Sequence, residues 1–596
     1  MTEDKFSNKA ITHLLRSVAA AYLIKNENRF KIIAYNKAAD AVEHLDREIK
    51  DVWEDGKLKE IPGIGPSIAD HLDEYFKKGF SKHIDWVLSG IPPSVFELMK
   101  IRTIGPKKAY KLVKSLKLTQ PDTVIADLKK AISENKVANI PSFGNKSQED
   151  IRQAIELYEG QASKKERMPL PYAYSLAQEI SNYLKKNPKV KRTDALGSLR
   201  RMVATIGDID IAVEIASAKD ADEVISHFTK YPKTLRIENA GGKKASIIIA
   251  PNISADLRVQ EKEGYGSMLQ YFTGSKSHNI KLREFALRKG YSLSEYGVKK
   301  VRGSQKLMKF ETEEALYSFF GLQYIPPEIR EGTNEIELAL KNKIPKLVEL
   351  KEIKGDLHIH SSYDIKPSHD RGSNSYDEIV AKAEKLGYEY VGFTDHNPRF
   401  TGVSAEVINK IMKRRKQYID DIFSTKKFER TKYFIGIEVD ILPDGTIALP
   451  EKSIEYVDYL IVAIHSSFDM DKDLMTKRII KALQYPKVKI LCHPTGRLLG
   501  KRDEYEVDWD KIFSEAKKKD IALEINSWPQ RLDLPDTIVR KALEKGVKMA
   551  INSDAHSNEE MELLFYGVEV AKRGWAKKND IINTLSYSDF KKWLVR

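Results

Sequence analysis

The chain has 596 residues, too many for one core, so several domains are expected. A formal net charge of +14, with 31% charged residues, favours a polyanionic partner, nucleic acid first. The single cysteine, Cys492, excludes an internal disulfide framework, and no run is long and apolar enough to span a bilayer or open as a signal peptide, so a cytoplasmic protein with no membrane partner is expected.

Residues 1 to about 160 read as lysine-rich helices joined by short turns. Ile61-Pro62-Gly63-Ile64-Gly65 precedes a helix that starts near Pro66. Such a turn exposes backbone N–H groups that can hold a DNA phosphate without reading sequence. Two weaker copies follow, Arg102-Thr103-Ile104-Gly105-Pro106-Lys107 and Pro141-Ser142-Phe143-Gly144, with Thr103 and Ser142 replacing the first glycine. One copy could be a plain helix connector. Three in a basic region favour DNA-backbone binding through Gly63, Gly65, Gly105, Lys107 and Gly144. They resemble helix-hairpin-helix motifs.

From about 168 to 335, helices mix with β-rich runs. Gly197-Ser198 reads as a turn opening a helix, and Asp208-Ile209-Asp210 lies in the apolar run Ile206 to Val213. On a strand, i and i+2 share a face, so two carboxylates would stand side by side and need cations between them. Asp256, on a second β-run, is the expected third carboxylate. Together the three would hold two ions about 3.5–4 Å apart. An edge strand of surface carboxylates is the bland alternative.

The order GSLRR, GDID, Asp256, then Tyr271-Phe272-Thr273-Gly274-Ser275 and Asn279 to Arg283 resembles the family X (polymerase beta-like) DNA polymerases, over residues 1 to about 335. The resemblance implies Asp208, Asp210 and Asp256 as catalytic ligands of Mg2+ or Mn2+. It implies Ser198 and Arg201 as triphosphate contacts, and Tyr271, Phe272 and Gly274 as the segment screening ribose from deoxyribose. Asn279 would face the nascent pair, Arg283 the template and Lys31 a DNA 5′-phosphate. The lysine that family members with lyase activity use for a Schiff base is His71 here, and a second lysine position is Ser67. A Schiff base needs an amine, so weak or absent lyase chemistry is expected.

Asn334 to Glu352 reads as a charged connector. From Gly355 a short apolar run repeatedly ends on a ligand-type residue: His358 and His360, Asp395-His396, Glu438, His465, His493, Glu524, and Asp554 with His556. The endings fall roughly 30 residues apart, the size of a βα unit. Such units close into a barrel whose strand C-terminal ends carry the site. Mixed nitrogen and oxygen ligands suit two or three Mn2+, Zn2+ or Fe2+ ions, the arrangement for phosphoester hydrolysis.

This half resembles the PHP (polymerase and histidinol phosphatase) domain. The resemblance implies His358, His360, His396, Glu438, His465, His493, Asp554 and His556 as ligands. Asp364, His369 and Asp370 compete for a ninth place, with Asp370 preferred. The expected fold class is multidomain. Helix-hairpin-helix all-α domains (1–92 and 93–165) precede an α+β nucleotidyltransferase palm (166–260) and thumb (261–335). A linker (336–352) leads to a distorted (β/α) barrel (353–596). The fusion implies a monomeric gap-filling repair polymerase that binds gapped or primed DNA and deoxynucleoside triphosphates. Its barrel would carry a Mn-dependent 3′→5′ exonuclease, with abasic-site endonuclease and 3′-phosphatase activities open to the same centre. The alternative is a barrel that acts mainly as a small phosphate monoesterase or as a structural module.

Overall fold

Apolar residues at helical spacing in α1 (Asn8–Ile24) and α2 (Arg29–Glu43) meet in one core, where Ile11, Leu15, Val18 and Tyr22 pack with Tyr35, Ala38 and Val42. The computed structural model describes every residue except 1–4, 44–47, 62, 102, 163–166, 251, 305, 427, 429 and 596. Pro62, Arg102 and the expected boundary at 165/166 therefore lie outside the described residues. Proline at the first helical position starts α3 (Pro66–Lys78) and α4 (Pro106–Leu116), with Gly65 and Gly105 as their caps. α5 (Asn145–Ala162) follows the third turn, where Ser142 takes the left-handed backbone at φ +73°.

The palm sheet has the order β1-β2-β5-β4-β3, from β1 (Val190–Ala195), β2 (Ile209–Ile215), β3 (Thr234–Gly241), β4 (Lys244–Ile249) and β5 (Ile253–Glu261). β2 and β5 are parallel, and the other pairs are antiparallel. The short helix α6 (Gly197–Arg200) sits between β1 and β2. One expectation needs correction here. The run Ile206 to Val213 is not a single strand, because Ile206 pairs with Met168 in a separate ribbon. The chain then bends at Gly207-Asp208 and enters the sheet at Ile209, so Asp208 stands just before the strand that carries Asp210.

α7 (Lys262–Thr273) and α8 (Lys276–Arg288) lead into the thumb, whose core holds Leu282, Phe285, Leu316, Tyr317 and Phe320. The segment expected as a linker is not a free connector. Ile336, Ala339, Ile344 and Leu347 complete that thumb core, and Val348 N–H donates to the Ala576 carbonyl at 2.9 Å. Its charged residues face water while every third or fourth position is apolar, which a reading by charge overlooks.

The C-terminal half is a seven-stranded parallel sheet in chain order: β6 (Gly355–Ile359), β7 (Tyr390–Phe393), β8 (Lys432–Asp440), β9 (Tyr459–Ala463), β10 (Val488–Leu491), β11 (Ala522–Asn526) and β12 (Met549–Asn552). A parallel bridge between Ile359 and Ala555 draws the first strand toward the last, so the sheet curls into a nearly closed barrel. All seven strands are buried almost throughout, as covered parallel sheets require. The palm and barrel cores form one continuous apolar cluster.

Buried Arg415 ties the barrel wall together. It donates to Asp395 Oδ2 at 2.8 Å, the Gly436 carbonyl at 2.9 Å and the Phe393 carbonyl at 3.1 Å. Arg415→Ala would leave Asp395 buried without its cation and should cost about 3–5 kcal/mol. A denaturation midpoint of the barrel transition equal to wild type would contradict this.

Two candidate metal centres

In the palm, the register of the parallel strands sets Asp210 opposite Asp256. Residues in register on neighbouring strands share a face, so the two carboxylates lie side by side. The Ser246 hydroxyl donates to Asp256, fixing its orientation. Gly197 has φ +57°, and a Cβ there would come within 2.5 Å of Asp210 Oδ2. Only glycine lets the backbone pass so close.

Around these aspartates the structure gathers the expected nucleotide residues. Half-buried Ser198 follows Gly197 in α6. Arg201 Nη1 donates to the Thr273 carbonyl at 2.6 Å, and its Nε donates to Glu331 Oε1 at 3.1 Å. Tyr271 and Phe272 stand edge to face at 5.2 Å, with the Arg258 guanidinium 4.6 Å from the Phe272 ring. Asn279 donates to the Tyr271 carbonyl at 2.6 Å, and Gly274 lies against Arg201. The neighbouring Arg200 is spent structurally: it pairs with buried Glu313 at 2.6 Å, which also binds Arg330. Arg283 is exposed on α8.

The N-terminal turns present Gly63, Gly65, Gly105 and Gly144 at the surface. Lys107 donates to Asn26 Oδ1 at 2.9 Å. Lys31 is exposed, with its Nζ 5.2 Å from the Tyr22 ring. His71 Nδ1 is 2.8 Å from the Tyr35 hydroxyl, and its ring stacks on His83 at 4.1 Å. Burial, then the neighbouring His83, lowers the His71 pKa.

In the barrel the expected ligands gather at the strand C-terminal ends, five histidines of them around the Glu438 carboxylate. Oε2 lies 2.9 Å from His396 Nδ1, 3.3 Å from His358 Nε2 and 3.5 Å from His360 Nε2. Oε1 lies 3.0 Å from His493 Nε2 and 3.3 Å from His465 Nε2. Asp554 Oδ1 is 3.2 Å from His360 Nε2 and 3.3 Å from His358 Nε2. His556 stacks on His360 at 4.1 Å. Of the three rivals, Asp370 Oδ1 reaches His396 and His556 at 3.8 and 3.9 Å. His369 also comes in, 3.0 Å from Asp440, and its ligand nitrogen groups with those of His396 and His465. Asp364 instead pairs with Arg371 on the surface.

The donor set fits metal ions. His358 Nε2, both ring nitrogens of His360, His396 Nδ1, His556 Nε2 and Glu438 Oε2 are buried, crowded against one another, yet without an aligned hydrogen bond. Among the described residues, their ligand atoms fall into groups within 4.8 Å of one another. Buried polar atoms crowded this way need a shared cation. Burial opposes charge on Glu438, yet the His396, His358 and His465 imidazoles hold its carboxyl well below the usual range. Burial, with His556 and His396 beside it, pushes His360 down to about 3. Burial and Arg531 bring His493 down to about 4. Both rings thus keep lone pairs for a metal at neutral pH. His493 and Asp554 have left-handed backbones, at φ +28° and +58°, a strain often found at functional sites.

Supporting groups surround these ligands, and of them Asp440 and Arg531 escape sequence reading. Glu524, expected as a ligand-type ending, lies within β11 and accepts from His358 Nδ1 at 2.7 Å, from the His493 N–H at 2.8 Å and from Asn552 at 2.8 Å. It therefore orients imidazoles. Asp440 holds His465 Nδ1 at 2.7 Å in the same way. Arg531 Nε lies 3.7 Å from Asp554 Oδ2, and its Nη1 is buried without a hydrogen-bond partner.

Comparison with known proteins follows these divisions. Family models match a helix-hairpin-helix domain over residues 6–80, a DNA polymerase beta thumb over 268–331 and a PHP domain over 356–528. The chain is 35% identical to the DNA polymerase/3′-5′ exonuclease PolX of Bacillus subtilis (strain 168), over 99% of each chain. It is 27% identical to a probable phosphatase of Thermoanaerobacter sp. (strain X514), over 38% of this chain and 89% of that protein. A probable phosphatase of Caldicellulosiruptor saccharolyticus matches at 26%, over 31% of this chain and 74% of its own.

Glu524→Gln keeps the shape but weakens the carboxylate–imidazole hold on His358. Mn2+ affinity at the barrel should fall about 10–100-fold. Calorimetric titration with Mn2+ checks this, and wild-type affinity would contradict it.

Proposed function

Because the chain belongs to the PolX-type family of DNA polymerases/3′-5′ exonucleases, we propose that it fills short gaps in DNA repair, extending 3′ ends at the palm and trimming them at the barrel. Two separate features support this reading: the parallel register that sets Asp210 opposite Asp256, with Asp208 just before the same strand, and the Glu438 cluster of histidines in the barrel, with no residue in common. Divalent ions, Mg2+ or Mn2+ in the palm and Mn2+, Zn2+ or Fe2+ in the barrel, supply Lewis acidity and activate the attacking oxygen when bound.

The protein's own groups divide the remaining work. In the palm the three aspartates collect positive charge beside the primer end. Ser198 and Arg201 receive the triphosphate, with the guanidinium stabilising charge that builds on the leaving phosphates. Tyr271 and Phe272 form an aromatic edge backed by Arg258, leaving no room for a 2′-hydroxyl. Asn279 fixes the Tyr271 backbone, and Arg283 faces the template. The exposed turns at Gly63, Gly65, Gly105 and Gly144, with Lys31 and Lys107, hold duplex phosphates without reading bases.

In the barrel, His358, His360, Asp370, His396, Glu438, His465, His493, Asp554 and His556 hold the ions. His369 stands beside them as a further donor, and Arg531 offers its unpaired Nη1 to a scissile phosphate. The likeness to probable phosphatases supports phosphomonoester hydrolysis at the same centre as a second reading. Comparing turnover on small monoesters with turnover on DNA 3′ ends separates the two.

Asp208→Ala should abolish primer extension on a one-nucleotide gap and leave 3′→5′ degradation intact, while His360→Ala should do the reverse. Loss of both activities from either change, in folded protein, would refute two separate sites. With His71 and Ser67 in place of lysines, borohydride should trap little or no covalent adduct between the N-terminal domain and a 5′-deoxyribose phosphate end. Trapping as efficient as polymerisation would contradict that.

A further inference from the structure

The polymerase nucleotide site is buttressed from the hydrolase domain. α9 (Leu564–Arg573) lies outside the barrel on the side facing the palm, where Phe565 and Tyr566 pack on Tyr174 at ring distances of 5.4 and 6.3 Å. Its last residue, Arg573, is nearly buried, with 7% of the side chain exposed. Nη1 donates to the Arg201 carbonyl at 2.7 Å and to Glu331 Oε1 at 2.9 Å, and Nη2 donates to Asp536 Oδ2 at 2.7 Å. Glu331 Oε1 also accepts from Arg201 Nε. One thumb carboxylate oxygen is thus shared by a palm arginine and a barrel-domain arginine.

We propose that Arg573 is a positioning residue for nucleotide addition, acting through Arg201. The inference rests on the reading of Arg201 as a triphosphate contact. Arg201 is tethered twice, by Nη1 to Thr273 and by Nε to Glu331, and among the described residues its Nη2 has no hydrogen-bond partner. Arg573 contributes in two ways. It fixes the backbone of Arg201 through the carbonyl. It also draws charge from Glu331, so that this carboxylate does not capture the whole Arg201 guanidinium. Without Arg573, Glu331 would face Arg201 alone. The pair would tighten, and the guanidinium would be less available to an incoming polyphosphate. Among the described residues Arg573 bonds the Arg201 and Glu328 carbonyls, Glu331 and Asp536, none of them an expected metal ligand, so its effect belongs in nucleotide binding rather than in exonuclease chemistry.

The test measures nucleotide KM and kcat on a one-nucleotide gap, and the 3′→5′ exonuclease rate, in full-length wild type, Arg573→Ala, Arg573→Lys and Arg201→Ala. Arg573→Ala should raise the nucleotide KM about tenfold, the scale of one charged hydrogen bond, with kcat changed less and the exonuclease unaltered. Arg573→Lys, which keeps the charge and can still reach Glu331, should recover much of the KM. A wild-type KM in Arg573→Ala, where Arg201→Ala raises it, overturns the inference and leaves the Arg201 reading standing. A wild-type KM in Arg201→Ala overturns that reading and the inference with it. Parallel loss of kcat and exonuclease in Arg573→Ala, with no recovery in Arg573→Lys, shows only a structural role and also overturns it.

Discussion

Carboxylates and imidazole lone pairs crowded within a few ångströms repel one another unless cations stand between them, and this chain accepts that repulsion in two places. In the palm, parallel register holds Asp210 beside Asp256. In the barrel, seven parallel strands deliver imidazoles and carboxylates around Glu438. Asp210, Asp256, His358 and Glu438 stand on strands, and most of the other ligands follow just past strand ends, so the sheets limit how far the groups can relax apart. The surroundings then do the finer work. Gly197 admits a backbone against Asp210, Ser246 orients Asp256, and Glu524 and Asp440 aim histidines.

The same economy of rigid supports joins the two halves. The palm and barrel share one apolar cluster. The thumb core continues into residues 336–347, and Val348 hydrogen-bonds the barrel domain directly. Arg540 reaches Thr333 and Asn334 at 2.8 and 2.6 Å. The N-terminal helices approach the barrel as well: Asp40 on α2 binds Lys501 at 2.7 Å, and Lys37 lies 3.7 Å from Asp370.

Much of this was legible in sequence because the signals are local. Each barrel strand is a short apolar run ending on a ligand type, so both the fold and its site could be read from one repeat. The motif order from Gly197 to Arg283 likewise pointed to the palm sheet and to the segment proposed to take the nucleotide. Four features were not legible, each for a physical reason. The break at Gly207 depends on Ile206 pairing with Met168, a partner 38 residues earlier, so Asp208 looked like part of the strand. The stretch 336–352 looked like a linker because its charges hide an apolar face. Competition among Asp364, His369 and Asp370 turns on loop conformation, which brings the latter two inward and leaves the first on Arg371. Arg531 and Arg573 make their contacts across the fold, and no spacing rule points to either.

The central claim is that one chain holds two separate metal centres. Anomalous diffraction from crystals grown with Mn2+ tests it most directly. The account predicts peaks among Asp208, Asp210 and Asp256, and a second group of peaks around Glu438. A barrel without anomalous density, in crystals whose palm is loaded, would contradict it.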